Sequence, residues 1–88
     1  MTHKASPKFW KRRNALPEDI QIAADKAFQL LKRDARHPSL QFKKLSGTDF
    51  WSVRVNDDYR ALAVCSDAVW AWFWIGPHDE YNSIIKGK

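Results

Sequence analysis

The chain has 88 residues and a single cysteine, which excludes a multidomain protein and a framework of internal disulfides. Its 15 Lys and Arg against 10 Asp and Glu give a formal charge of +5, which favours contact with polyanions or with an acidic protein. The longest apolar run, residues 68–76, is far shorter than the roughly 20 residues that cross a bilayer. We therefore expect one cytoplasmic domain over residues 1–88, with Cys65 reduced and buried.

Two helix start signals lie in the first third of the chain. Residues 1–6 show no apolar period and are predicted to be a flexible tail. Ser6 and Pro7 then form a cap and first-turn pair, which predicts a short basic helix over residues 8–14. A second helix is predicted from Pro17 to about Arg33, because acids follow the proline and apolar residues recur every three or four positions.

The apolar period changes from 3.6 to 2 after Pro38. Short strands joined by polar turns are predicted over residues 40–45, 50–55, 59–65 and 68–75. Short turns favour an antiparallel order, and the amphipathic helices must cover one face of such a sheet. The predicted fold class is α+β, with two N-terminal helices packed on a four-stranded antiparallel sheet and a short C-terminal helical segment. The last strand is apolar at nearly every position, so we expect it to be central or covered on both faces.

Two arginines flank the turn formed by Asn56, Asp57 and Asp58. Alternation places Arg54 on the face opposite the apolar residues of its strand, and Arg60 lies across the hairpin from it. Guanidinium groups bind phosphate oxygens in a bidentate fork, so the pair could hold a phosphate and stabilise charge that develops on it. The alternative is that both arginines pair with nearby aspartates on a solvated hairpin.

Titratable residues follow the last strand. His78 comes after a Gly-Pro kink and suits proton transfer near neutral pH; its ordinary alternative is a surface or capping histidine. Tyr81 lies about one helical turn further on and could share a face with His78. Asp79 and Glu80 favour the start of a helix, and either could act as a general base or orient His78 or Arg60.

Other ligand-binding patterns are few. Lys43 and Lys44 are candidate RNA-binding residues, but in a strand they point to opposite faces, so at most one reaches the arginine face. His3 and His37 are expected to be solvated. The chain contains no CxxC pair, no HExxH motif and no glycine-rich phosphate loop. We therefore expect no metal, no cofactor and no small-molecule ligand.

Three short motifs follow one another along the chain: His37-Pro38-Ser39-Leu40, then Trp51-Ser52-Val53-Arg54-Val55 with Tyr59-Arg60-Ala61-Leu62, then Trp74-Ile75-Gly76-Pro77-His78-Asp79-Glu80-Tyr81. Together they resemble the RelE/ParE family of bacterial toxins from type II toxin–antitoxin systems. The resemblance covers residues 9–85 and implies the same α+β fold. RelE-like members are endoribonucleases that cut mRNA, mostly in the ribosomal A site, and they need no metal because the RNA 2′-hydroxyl is the nucleophile.

The resemblance also implies roles for individual residues. Arg60 matches the phosphate-binding arginine that follows a tyrosine, and Arg54 matches a basic strand position with a similar role. His78 matches the position where relatives place an arginine or histidine for proton transfer, and Tyr81 matches an aromatic of the C-terminal segment. Ser52 departs from the pattern, since some RelE-like members have lysine there, which leaves more of the proton transfer to His78 or Glu80.

Three functions follow from this resemblance. The first is an mRNA-cleaving toxin, with mRNA and the ribosome as partners. The second is a ParE-like toxin that poisons DNA gyrase, and the third is a degenerate member that acts as an antitoxin-binding module. All three imply a cognate antitoxin, which we expect to be acidic and to cover the basic and apolar surface.

Overall fold

The computed structural model describes residues 2–86, which form three helices around a five-stranded sheet. The helices are α1 (Pro7–Asn14), α2 (Glu18–Arg33) and α3 (His78–Lys86), and a 3-10 turn spans Pro38–Leu40. The strands are β1 (Thr2–Ala5), β2 (Lys43–Lys44), β3 (Phe50–Arg54), β4 (Tyr59–Ser66) and β5 (Val69–Pro77). None of the helices in residues 2–86 has the length and apolar content that a membrane span requires.

The first two helices form as their sequence signals predict. The hydroxyl of Ser6 accepts a hydrogen bond from the backbone N–H of Phe9 at 3.1 Å and so caps α1, with proline in the first turn. Helix α2 carries two acids in its first turn and two cations in its last, which suits the helix dipole. Its predicted apolar stripe is the face that it buries: Ile20, Ala24, Ala27 and Leu31.

The strands lie in the order β1-β5-β4-β3-β2, and every neighbouring pair is antiparallel except β1 with β5. The predicted α+β class with an antiparallel meander is therefore confirmed for β2 to β5. Strand β5 lies inside the sheet, between β1 and β4, as its apolar composition led us to expect. Across the β3–β4 hairpin, Arg54 stands directly opposite Arg60.

The prediction of a flexible N-terminal tail and a four-stranded sheet was wrong for residues 2–5. They form a fifth strand, and the backbone N–H groups of Thr2 and Ser6 donate to Ala68 and Trp72 of the β5 segment. His3 is not solvated either, because its Nδ1 accepts a hydrogen bond from the indole nitrogen of Trp72 at 3.0 Å. These four residues, three of them polar, show no apolar period, and they become ordered only by pairing with the edge of β5.

Both faces of the sheet are covered, so the molecule has two apolar clusters. The larger one lies between the sheet and helices α1 and α2, and includes Phe9, Leu31, Val53 and Trp72. The smaller one lies under α3, where Leu62, Trp74 and Tyr81 pack together. Helix α3 runs slightly past the predicted segment at both ends, and its burial of Tyr81 fixes where the helix sits on β4 and β5.

Three further predictions need correction. The strand predicted over residues 40–45 is only two residues long, because Gln41 adopts a left-handed backbone (φ 47°) that separates the 3-10 turn from β2. His37 is half-buried, and its Nδ1 accepts from the backbone N–H of Ser39. Cys65 is exposed and not buried, because the last three residues of β4 extend past the elements that cover the sheet.

Candidate functional site

Three of the predicted residues meet where β4 begins, β5 ends and α3 starts. The guanidinium carbon of Arg60 lies 5.4 Å from the ring centre of Tyr81. The ring centres of Tyr81 and His78 are 5.6 Å apart, at an interplanar angle of 45°. Tyr81 is only 6% exposed, so its ring is a fixed group that contacts both the guanidinium and the imidazole.

The guanidinium of Arg60 is only partly satisfied. Its Nη2 donates to the side-chain oxygen of Gln41 at 2.9 Å. Its Nη1 is shielded from solvent and has no acceptor among residues 2–86. A buried donor without a partner costs free energy, and a charged donor costs more than a neutral one. An anion with several oxygens, such as a phosphate, would remove that cost.

His78 is held from two sides. Its backbone N–H donates to the carbonyl of Asp58 at 2.7 Å, which ties the start of α3 to the β3–β4 turn. Its ring Nδ1 lies 3.1 Å from the side-chain nitrogen of Asn82. The amide of Asn82 can donate to Nδ1 or, with its oxygen and nitrogen exchanged, accept from Nδ1–H, and in the second arrangement Nε2 is the unprotonated nitrogen. The imidazole is therefore oriented, with Nε2 as the atom that can exchange a proton.

Arg54 is held differently from Arg60. It forms an ion pair with Asp57 and also donates to the backbone carbonyl of Ser39 at 3.4 Å. The alternative in which turn aspartates neutralise the arginines therefore describes Arg54, whereas Arg60 has no carboxylate partner among the described residues. Arg54 lies opposite Arg60 in the hairpin but faces the turn and the residues before β2.

The two lysines of β2 lie on different faces, as alternation predicts. Lys43 stands opposite Ser52, which shares the face of Arg60 and α3, and Lys44 stands opposite Trp51 on the face of α1 and α2. Only Lys43 can therefore contribute charge to the arginine face. Ser52 is fully buried on that face, and its hydroxyl has no partner within residues 2–86.

The two carboxylates after His78 do not contact it in the described part of the chain. Glu80 forms an ion pair with Arg12 at 3.4 Å, and Arg12 also donates to the carbonyl of Ile75 and lies over the ring of Trp74. The side chain of Asp79 is exposed. Within residues 2–86, no three His, Cys, Asp or Glu side chains are close enough together to bind a metal ion.

Three residues of this region were missed by the sequence analysis. Asn82 could have been found, because it lies four positions after His78 on the same helix face. Gln41 gives no such signal, since its left-handed backbone brings it to Arg60 from 19 positions away. Arg12 reaches Glu80 from a different helix, a contact that only the packing of α1 produces.

Comparison with known proteins agrees with this fold. The sequence model of the ParE-like toxin domain matches residues 18–83, which are 66 of the 88 residues. No curated protein matches the chain. The structure is similar to the RelB–RelE antitoxin–toxin complex of Methanococcus jannaschii, with a TM-score of 0.71, 12% identity, and coverage of 92% of this chain and 96% of that one.

Two other solved structures are similar over nearly their whole length. YafQ of Escherichia coli has a TM-score of 0.70 at 13% identity, with 90% of this chain and 94% of that chain covered. The RelE–RelB complex of Pyrococcus horikoshii has a TM-score of 0.68 at 21% identity, with 86% and 92% covered. At these identities the likeness shows the fold.

A small basic α+β domain with a family match over three quarters of its length defines the class of protein: it is a toxin of the RelE/ParE family. The chain belongs to the ParE-like toxin domain family. The resemblance found in the three sequence motifs is thereby confirmed.

Proposed function

We propose that the chain is an endoribonuclease that cleaves mRNA without a metal, in association with the ribosome, and so inhibits translation. The observation that carries this proposal is the guanidinium of Arg60, which has a buried, unpartnered nitrogen and lies over the ring of Tyr81, the same ring that contacts the imidazole of His78. A cation with unmet donors next to a proton-exchanging group is what phosphodiester cleavage requires.

The proposed reaction is attack by the RNA 2′-hydroxyl on the adjacent phosphate. The bond from the 2′ oxygen to phosphorus forms while the bond to the 5′ oxygen of the next nucleotide breaks, which leaves a cyclic phosphate and a free 5′-hydroxyl. Arg60 binds the phosphate oxygens and stabilises the charge that grows on them. His78 acts at Nε2, either as the base that takes the proton of the 2′-hydroxyl or as the acid that protonates the departing 5′ oxygen, and water exchanges the other proton. Tyr81 positions Arg60 and His78.

The surrounding residues complete the proposed RNA contacts. Lys43 lies on the same face as Arg60 and would contact a flanking phosphate. Arg54 can join when RNA displaces Asp57, because an ion pair with an exposed carboxylate stabilises by only about 0–1 kcal/mol. Glu80 forms an ion pair with Arg12, so its proposed contribution is to hold α3 in place.

An acidic antitoxin is the proposed protein partner. Two of the similar structures are complexes of a RelE toxin with RelB, and one of them is described as an antitoxin–toxin complex. A net charge of +5 on so small a domain favours a partner of opposite charge, which would neutralise the arginine face and block RNA.

A second candidate function is inhibition of DNA gyrase. Two observations favour it: the matching family model is that of ParE-like toxins, and Arg54 is already neutralised by Asp57. Such a toxin would bind a protein target and carry out no chemistry on RNA.

Arg60→Gln separates the two candidates. Glutamine keeps a polar side chain but removes the charge, so we expect RNA cleavage to fall at least about 100-fold and the growth arrest to be relieved. The measurement is induced expression followed by mapping of RNA 5′ ends, with and without a ribosome inhibitor, and thermal unfolding of the purified variant to show that the fold persists.

Arg36→Gln is the matched control, because Arg36 is exposed and lies on the connection after α2, outside the cluster. It should cleave RNA like the parent chain. Undiminished new 5′ ends in the Arg60→Gln variant would refute the site. A supercoiling defect with intact mRNA in the parent chain would establish the gyrase function instead.

A further inference from the structure

Both arginines of the β3–β4 hairpin are held by the segment before β2, but in different ways. The backbone carbonyl of Ser39 accepts a hydrogen bond from Arg54 at 3.4 Å, and Asp57 balances the charge of that guanidinium. The side-chain oxygen of Gln41 accepts from Nη2 of Arg60 at 2.9 Å. Because the glutamine amide is neutral, it holds Arg60 without balancing its charge. The positive charge of Arg60 is thereby kept for a ligand.

The backbone of Gln41 is left-handed, with φ 47° and ψ 41°, a conformation that costs a non-glycine residue free energy. Its two neighbours are fixed on the other side of the sheet, since Leu40 is buried in the larger apolar cluster and Phe42 packs against that cluster. The exposed side chain between them crosses to the face of Arg60. Glycine would adopt this backbone without a steric cost, so the contact with Arg60 is what glutamine adds to the turn.

Two contacts fix the plane of the Arg60 guanidinium. Its carbon lies 5.4 Å from the ring centre of Tyr81, and the hydrogen bond to Gln41 fixes the direction of Nη2. Arginine only donates, so the amide atom that faces it is the oxygen. The other terminal nitrogen, Nη1, is left buried and without an acceptor among residues 2–86. A planar donor held in this way loses little side-chain freedom when it binds a phosphate oxygen.

We propose that Gln41 is a positioning residue. Its neutral side-chain oxygen holds the guanidinium of Arg60 in the orientation that binds a phosphate, and it leaves the charge of the guanidinium unbalanced. Gln41 acts through Arg60 and takes no part in proton transfer. The inference rests on the proposed ribonuclease function for the identity of the phosphate, whereas the positioning itself can be tested with inorganic phosphate.

Three variants separate positioning from a purely structural role. Gln41→Gly relieves the left-handed strain but removes the acceptor, so its unfolding midpoint in denaturant should equal or exceed that of the parent chain while kcat/KM for RNA falls at least about tenfold. Gln41→Glu keeps an acceptor but balances the charge, so it should fold normally and also cleave at least about tenfold more slowly. Ala68→Gly is the matched control, because Ala68 also has a positive φ (63°) but lies at the far end of β4 from Arg60. It should cleave RNA like the parent chain.

Titration with inorganic phosphate gives a readout that does not depend on RNA cleavage. Followed by the Nε–H signal of Arg60 in NMR spectra, the parent chain and Ala68→Gly should bind phosphate with affinities within about twofold of each other. Both Gln41 variants should bind at least about tenfold more weakly. This pattern in a parent chain that cleaves no RNA would refute the ribonuclease and support the positioning role.

Three results would overturn the inference. Parental cleavage and phosphate binding in Gln41→Gly would do so while leaving the ribonuclease intact. A lowered unfolding midpoint in Gln41→Gly, together with lost cleavage, would show that Gln41 supports the fold and does not position Arg60. An Arg60 signal that phosphate does not move in the parent chain would show that the guanidinium is not held ready for an anion.

Discussion

At the scale of single residues, burial decides what each ionisable group can do. Arg60 is charged and carries an unmet donor beside Tyr81, which is why we propose it as the phosphate-binding residue. His3 is packed among the rings of Phe42, Trp70 and Trp72, and its Nε2 is shielded without an acceptor among residues 2–86. Burial lowers the pKa of His3 below its ordinary 6.5, and the positive charges of Lys32 and of the N-terminus lower it further.

This lowered pKa predicts a pH-dependent stability. The folded chain binds a proton on His3 less readily than the unfolded chain. The contribution of His3 to the free energy of unfolding is therefore greatest above about pH 6.5, and it falls as the pH drops towards the lower pKa of the folded state. Protonation also removes the Nδ1 acceptor from Trp72. Denaturant unfolding at several pH values between 7.5 and 5 measures the loss.

His3→Asn supplies the control for that prediction, because its side-chain oxygen can replace Nδ1 as acceptor for Trp72 but does not titrate. The variant should lose less stability than the parent chain over the same pH range. An identical pH profile in both proteins would show that other groups, and not His3, cause the loss.

At the scale of elements, the edge of β5 after Trp72 is covered by side chains and not by a neighbouring strand. Strand β1 pairs with β5 only as far as Trp72, and beyond that point Arg12 donates to the carbonyl of Ile75 at 3.1 Å. The same guanidinium pairs with Glu80 and so links α1 to the first turn of α3. The position of α3, and with it that of His78 and Tyr81, therefore depends on a contact made from the opposite layer.

Gly76 lies near the end of β5, just before α3, and the structure leaves no room there for a side chain. A Cβ added at this position would lie 2.7 Å from a ring carbon of Trp74 and 3.1 Å from a carboxylate oxygen of Glu80. The ring of Trp74 is buried and cannot move freely, so Gly76→Ala should destabilise the protein by about 1–3 kcal/mol. It should also shift the tryptophan fluorescence and weaken RNA cleavage by moving α3. Denaturant unfolding followed by fluorescence measures both the stability and the ring environment.

Gly47→Ala is the contrasting variant. Gly47 has a positive φ of 76° and open space around it, so alanine there costs about 1–2 kcal/mol of backbone strain but touches no side chain. Its fluorescence and its cleavage of RNA should match those of the parent chain. A normal fluorescence spectrum and full activity in Gly76→Ala would contradict the crowding at the α3 junction.

At the scale of the whole molecule, positive charge lies on both faces of the sheet. The α3 face presents Arg60 and, on the same face, Lys43, and the helix face presents Lys4 and Lys32. We propose RNA as the ligand of the α3 face, because the unmet donor of Arg60 lies there. A net charge of +5 attracts a polyanion to the whole molecule, and the local geometry of the α3 face selects where it binds.

Lys43 and Lys44 provide a matched test of RNA binding at the α3 face. They are adjacent in the chain and both exposed, but they lie on opposite faces of the sheet. Lys43→Gln should reduce the salt dependence of RNA binding by about 0.7 in the slope of log K against log salt, the value of one lost phosphate contact on single strands. Lys44→Gln should leave the slope unchanged. Fluorescence anisotropy of a short labelled RNA over a range of NaCl concentrations gives both slopes, and equal losses would contradict the assignment of one face to RNA.

The sequence by itself determined the helices, the hairpins and the alternation of their faces. Ser6 as a cap, the stripe of α2 and the separation of Lys43 from Lys44 all depend on spacing within a few residues, so local rules suffice for them. The family resemblance also follows from short motifs, and the family match confirms it.

Only the tertiary structure decided that β1 exists, that Arg54 is neutralised while Arg60 is not, and that Gln41 and Arg12 reach the site region. These features depend on contacts between residues that are far apart in the chain or on the backbone of a single left-handed residue. The energy of such contacts depends on which groups are buried against one another. Local sequence patterns do not specify those neighbours.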